Sequence, residues 1–258
     1  MKKLLYFLLG ASLCAMVVGC SKEDNTPDQY SRAKNNTYSF SLSSFNDAAT
    51  VYKGLREKDR IIFVCRHSKR NDDPSFGSKL TEEGIEWTIE AGKKFNGGLA
   101  GKDDAYYGST AYPRCKQTSY YIANGRGDSN PADTSGVHAP IDCITSNYFS
   151  ENTKWPYMAT YYENNVEEAN EKAIRMINML CETSEGYTFS WFTSHDFTTL
   201  ILTEWATNHA VNFVSPNWIN YLTGIAVIVH PDKSWEVYPV TNLSSGFNTD
   251  KGDYSDWW

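Results

Sequence analysis

The chain has 258 residues, 24 of them basic and 31 acidic, for a formal charge of −7 at pH 7. That balance excludes nucleic acid and anionic membrane surface as bulk partners. The length suits one ordinary domain with its own core and room for a smaller lobe.

The first twenty residues, "MKKLLYFLLGASLCAMVVGC", carry two lysines, then an apolar run, then small residues before Cys20. Charge and length are those of a secretory signal. The run from Leu4 to Gly19 is short for a membrane span, which needs roughly 20 residues. The ending "VVGC" resembles a bacterial lipobox, implying cleavage before Cys20 and lipid on its thiol. The "SKEDNTPD" that follows resembles the acidic tether of some Gram-negative surface lipoproteins. The expected layout is a signal peptide at 1–19, a lipid-attached flexible tether at 20–40 and one domain at 41–258. Loss of Lys2 and Lys3 leaves 22 basic residues against 31 acidic ones and a charge of −9. The expected location is a Gram-negative outer membrane, on its periplasmic or its outer face.

The domain reads as alternating strands and helices. "RIIFVCRH" (60–67) is too apolar for a one-sided strand and fits a central strand covered on both faces. "KLTEEGIEWTIEAGKKFNGG" (79–98) predicts a helix capped by Thr81, with Glu82 and Glu83 at its positive end and Gly97-Gly98 stopping it. Ile85, Ile89 and Gly92 fall on one face, flanked by Trp87 and Phe95. "DAYYGST" (104–110) is a short strand, and "YPRCKQTSYYIANG" (112–125) a helix with Pro113 in its first turn and Gly125 past its end.

Residues 126–160 lack periodicity and are rich in Pro, Ser, Asn and Asp, which predicts an irregular insertion. "NNVEEANEKAIRMINMLCETSEG" (164–186) is the clearest helix, with Val166, Ala169, Ala173, Ile177, Leu180 and Cys181 at helical spacing. "YTFSWFTSHD" (187–196) is a second apolar strand, followed directly by the helix "FTTLILTEWATNH". "GIAVIVHPDKSWEVYPV" (224–240) predicts a β-hairpin turning at Pro231-Asp232-Lys233. Together these predict an α/β protein, a three-layer α/β/α sandwich with a mixed sheet. Sites in such sheets form beyond the carboxyl ends of strands, here residues 66–70 and 194–196.

After removal of Cys14 and commitment of Cys20, four cysteines remain: Cys65, Cys115, Cys143 and Cys181. No spacing among them suits zinc, so buried thiols or one disulfide are expected. The neighbours of Cys65 and Cys115 suggest that both point away from the site into the core. His138, His209 and His230 lack partners at ligand spacing and fit structural or solvent roles.

Three segments share a chemistry: "RHSKR" (66–70), "STAYPRCKQT" (109–118) and "SHD" (194–196). Guanidinium forks match phosphate oxygens and stay charged. A neutral imidazole is a good nucleophile toward phosphorus, and arginines around it keep its lone pair free. They also stabilise charge on a transferring phosphoryl group. A carboxylic acid alongside serves the leaving oxygen. Asp196 has a duller role open to it, capping the helix that starts there. "SHD" is not a hydrolase triad, since three adjacent residues cannot form that relay.

In order and spacing these segments resemble the histidine phosphatase superfamily. "RHSKR" is similar to its Arg-His-Gly-type motif, "KLTEEG" to its Leu-Thr-x-x-Gly segment, and "STAYPRCKQT" to its second arginine motif. "SHDFTTL" resembles the His-Asp-Thr signature of the acid phosphatase and phytase branch. The likeness runs from about residue 60 to 240, with 126–160 unmatched. It implies a phosphoglycerate mutase-like sandwich in which His67 becomes phosphohistidine. Arg66, Arg70 and Arg114 clamp the phosphate with His195, and Asp196 protonates the leaving group. Asp133 or Asp142 of the insertion is a further candidate for the acid role. No metal or organic cofactor is implied, and the partner is a small phosphorylated substrate. Ser68 stands where the family has glycine, and the proline expected after Arg70 is displaced to Pro74; both direct attention to substrate preference. The alternatives are a surface lipoprotein that kept the fold to bind a phosphorylated or glycan ligand, and a phosphomutase.

Overall fold

The computed structural model describes residues 31–32, 45–73, 75–208, 218–241 and 243. The signal segment, Cys20, most of the tether, Pro74, His209 and the C-terminal "DYSDWW" lie outside the described residues. Among the described residues no helix is long and apolar enough to cross a membrane.

In chain order the elements are β1 (Ser31–Arg32), β2 (Asn46–Asp47), α1 (Ala48–Lys53), β3 (Arg60–Arg66), α2 (Glu82–Lys93), β4 (Ala105–Ser109) and α3 (Pro113–Arg126). After two 3₁₀ turns, Thr134–Gly136 and Asp142–Ile144, come α4 (Trp155–Asn164), α5 (Val166–Thr183), β5 (Phe189–Ser194), α6 (Asp196–Ala206), β6 (Gly224–Val229) and β7 (Trp235–Thr241). The strands form one sheet in the order β1-β7-β6-β3-β5-β4, with β2 also on β7. β3, β5 and β4 run parallel, while β6 is antiparallel to both β3 and β7. The sheet is mixed, and the hairpin turns at residues 230–234 as the sequence predicts.

β3 lies between β5 and β6, and its alternating side chains enter two different cores. Ile62 and Val64 join Phe192, Ile225 and Val227 under α4, α5 and α6. Ile61, Phe63 and Cys65 join Phe189 and Trp191 under α1, α2 and α3. A strand covered on both faces has no solvent side to make polar, which explains its unbroken apolar run. The result is the expected three-layer α/β/α sandwich.

Several local expectations need correction. α2 is capped by Thr81, whose Oγ1 accepts the Gly84 amide at 3.0 Å, but it buries Gly84, Trp87, Thr88, Ala91 and Gly92 rather than Ile85 and Ile89. The reason is close backbone contact. A Cβ on Gly84 would lie 2.1 Å from the Lys69 carbonyl oxygen, and one on Gly92 would lie 2.4 Å from that of Ile122. Gly125 does not end α3 but sits inside it against α2, where a Cβ would meet the Ile89 oxygen at 2.1 Å. The terminating residue is Gly127, in the left-handed region at φ 86°. On α5, Val166 is exposed and Met176 belongs to the buried face. The insertion is irregular through residue 154, and α4 then starts inside its expected span.

Candidate functional site

Parallel strands deliver their carboxyl ends to one edge of the sheet, so β3, β4 and β5 hand over three segments side by side. The His67 amide donates to Ser194 O at 3.0 Å, and the Thr110 amide to Thr193 O at 3.2 Å. Strand register thus brings the ends carrying His67, Thr110 and His195 together. α3 starts three residues after Thr110 and carries Arg114 in its first turn. α6 starts at Asp196.

His67, Arg114, His195 and Asp196 line one cavity of about 320 Å³. Its floor and one wall are Arg66, His67, Arg70, Tyr112, Arg114, His195, Asp196 and Phe197. Arg66, His67, Arg70, Arg114, His195 and Asp196, all expected from the sequence, therefore come together. The rest of the lining is Ser146, Asn147, Glu151, Thr153 and Met158, none of which stands out in the sequence. They belong to the irregular insertion and to α4, where no period or motif marks a residue as inward-facing. Asp133 and Asp142 do not line this cavity. Asp133 instead accepts the amide and hydroxyl of Ser135.

His67 is buried at the end of β3, and its Nδ1 lies 2.8 Å from Ser68 O. A carbonyl only accepts, so Nδ1 carries the proton and the lone pair of the neutral ring belongs to Nε2. Burial, then the charges of Arg66, His195 and Arg114, hold the imidazole well below its usual pKa. His195 is also buried; burial and Arg114 push it down to about 3, against the opposing pull of Asp196. Its Nε2 lies 3.1 Å from Thr110 Oγ1, and the two histidine rings are 5.6 Å apart.

The arginines are held by main-chain oxygens, and two of them also by aromatic faces. Arg66 donates to Ile219 O at 2.5 Å and lies 4.4 Å over the Tyr221 ring. Arg114 donates to Ser75 O at 3.0 Å and lies 4.4 Å over Tyr112. Arg70 is half-buried and donates to Asn71 O at 2.6 Å. Such stacking suits a guanidinium, whose planar face is weakly hydrated.

Asp196 is the first helical residue of α6, not its cap; the N-cap is His195, whose side chain makes no capping bond. Asp196 Oδ1 accepts the Phe197 amide at 2.9 Å, and Oδ2 accepts Trp218 Nε1 at 3.2 Å and lies 3.5 Å from Arg66. Burial pushes the carboxyl up, but Arg66, His195 and these hydrogen bonds prevail and hold it below the ordinary carboxylate value.

Ser68 does not line the cavity. Its hydroxyl donates to Gly84 O at 2.7 Å and its amide to Thr118 Oγ1 at 3.1 Å, which fixes the loop after β3 to α2 and α3. The serine is a structural tie rather than a determinant of substrate preference. Cys65 enters the core as expected, but Cys115 does not turn away from the site: its Sγ is 3.7 Å from His195 Nε2. Cys65, Cys115, Cys143 and Cys181 are all free thiols. His138 stacks on Tyr106, and His230 pairs with Asp59 and Glu236; neither lines the cavity.

No family model and no curated protein matches the chain. Among solved structures it is similar to phosphoglycerate mutase from Bacillus anthracis, at 13% identity and TM-score 0.45 over 72% of this chain and 94% of that one. It is similar to mycobacterial glucosyl-3-phosphoglycerate phosphatase at 9% identity and TM-score 0.43, covering 71% of this chain and 100% of the other. A third is phosphoserine phosphatase from Entamoeba histolytica, at 12% identity and TM-score 0.46 over 71% and 98% of the two chains.

Proposed function

We propose that the chain is a phosphomonoester hydrolase of the histidine phosphatase type, working through a phosphohistidine on His67. The observation that carries this reading is the state of that imidazole. Its Nδ1 proton is committed to Ser68 O, it is held neutral, and it lines a cavity shared with three guanidinium groups. A neutral, oriented nucleophile beside fixed positive charge meets the requirements of phosphoryl transfer.

In the first step the Nε2 lone pair forms the N–P bond as the P–O bond to the leaving group breaks. The leaving oxygen takes a proton from the Asp196 carboxyl. In the second, water attacks phosphorus and gives its proton to the Asp196 carboxylate, the N–P bond breaks, and its electron pair returns to Nε2. Inorganic phosphate departs. Arg66, Arg70 and Arg114 neutralise the phosphoryl oxygens throughout, with His195 as a further donor. The final strand-to-helix segment, "SHDFTTL", supports assignment to the acid phosphatase-like branch. The N-terminal "VVGC" supports a lipid anchor on Cys20 and action outside the inner membrane.

The test is His67→Ala with a generic phosphomonoester. Turnover is expected to fall at least 10³-fold, the scale on which loss of a covalent nucleophile acts. An acid-labile phosphoenzyme trapped in the wild type should vanish with it. Full activity in the variant would refute the reading.

A further inference from the structure

The cavity is electrically lopsided. Arg66, Arg70 and Arg114 all come from the strand-end side. Among the described residues, Ser146, Asn147, Glu151 and Thr153 of the same lining contribute no cation and one carboxylate, that of the exposed Glu151. The mouth adds aromatic surface. Tyr112 lines the cavity, and Phe76, 58% exposed, packs against it with ring centroids 4.7 Å apart.

We infer that Glu151 is a charge filter on the leaving group, and that the substrate is an ester of one phosphate with an otherwise uncharged, hydroxyl-rich group of the sugar or polyol class. The inference rests on the phosphatase reading above. The strand-end arginines fix where the phosphate lies, so the remainder of the substrate takes up the rest of the cavity, where the insertion residues join the lining. A second phosphate or a carboxylate there meets a like charge, with no cation among those described residues to balance it. Like charges across a partly solvated cavity disfavour binding through the ordinary Coulomb term. Hydroxyl groups fare better. Glu151 accepts hydrogen bonds from them, Asn147 donates and accepts, and Ser146 and Thr153 do both. The exposed ring of Phe76, packed against Tyr112, suits the C–H surface of a sugar ring. Substrates crowded with phosphates, inositol hexakisphosphate among them, belong to the rejected class.

The experiment compares kcat/KM for glucose 6-phosphate and 3-phosphoglycerate in the wild type, Glu151→Gln and Glu151→Lys. A ratio measured within one preparation does not depend on how much of a variant is folded. The wild-type ratio should favour glucose 6-phosphate by about tenfold or more, equivalent to about 1.4 kcal/mol. It should shrink in Glu151→Gln and invert in Glu151→Lys. A ratio that stays the same in Glu151→Lys, or a wild type that prefers 3-phosphoglycerate, overturns the filter while leaving the phosphatase intact. Failure of the wild type to turn over any of glucose 6-phosphate, 3-phosphoglycerate and p-nitrophenyl phosphate overturns the phosphatase reading and the filter with it.

Discussion

At Asp196, Arg66 lies 3.5 Å away and holds the carboxyl below its ordinary value, in its anionic form. In the proposed mechanism Asp196 donates a proton and must first be protonated, so the free protein waits in the wrong state for donation. A bound phosphate dianion offsets Arg66 and raises the carboxyl back toward its ordinary value. For an alkyl phosphate, kcat/KM should therefore rise as pH falls toward the carboxylate range. His67, held well below its usual pKa by burial and the nearby arginines, opposes that rise less than a free imidazole would. Asp196→Asn should lower turnover of an alkyl phosphate by about 10²–10⁴-fold. It should affect p-nitrophenyl phosphate far less, since that leaving group departs without a proton. Steady-state rates on the two substrates check both statements. Ser68 belongs to a different kind of residue. Removing its buried hydroxyl in Ser68→Ala deletes the bond to Gly84 O, although Thr88 Oγ1 still donates there at 2.6 Å. The cost should be about 1 kcal/mol in a denaturant titration, with the preference between two substrates unchanged.

Among the elements, α3 matters most for the site because Arg114 is its second residue. α3 packs against α2 at glycines, Gly92 facing Gly125, so the two backbones approach closely. Gly125→Ala would ordinarily favour a helix by about 0.5–1 kcal/mol. Here the new methyl would lie 2.1 Å from the Ile89 oxygen, and backbone cannot swing aside like a side chain. The clash decides the sign. Stability should fall by about 1–3 kcal/mol, and activity should fall too as the start of α3 shifts. Chemical denaturation with a parallel activity assay measures both. The same glycines show where sequence reading fails. A glycine late in a helix looks like a stop signal, and only the neighbouring helix reveals it as a contact surface. Ile85 and Ile89 mislead for the same reason, since apolar period assigns the buried face to bulky residues. α4 was hidden because Tyr and Asn, which crowd "WPYMATYYEN", carry little helix preference. The strands were legible, because runs buried on both faces leave few alternatives. The arginines and histidines were legible because each follows such a run. Glu151 was not, since nothing local distinguishes a loop carboxylate that faces a cavity from one that faces water.

Across the whole molecule, the two ends of the sheet respond differently to acid. At the cavity end, His67 and His195 stay neutral in the fold, whereas free imidazoles take up protons below about pH 6.5. The unfolded chain then binds more protons, so stability is lost as pH falls below about 6.5, by at most about 1.4 kcal/mol per pH unit for each ring. At the far end, Asp59 is bonded to His230 at 2.9 Å and lies 3.5 Å from Arg56. Burial pushes its carboxyl up, but these partners outweigh burial and depress it. Its stabilisation is present above its ordinary value and is lost only as pH falls through the depressed one. Acid should therefore loosen the cavity end first. The thermal midpoint should decline between pH 7 and 5, and vanadate should lessen the decline by neutralising the arginines that depress both rings. A midpoint that is flat over that range would contradict the account. Acidity that supplies Asp196 with its proton thus weakens the fold that positions it, so the working pH is a compromise between the two.

The acceptor that fixes the His67 ring is the main-chain oxygen of Ser68. Every residue has such an oxygen, so no codon change at position 68 can delete it. Heredity can discard the imidazole but cannot, at this position, reassign its proton. If His67 is the nucleophile proposed, a descendant that lost activity through Arg114 or Asp196 would still inherit that nucleophile in its poised form, and one restored residue would suffice for reversion.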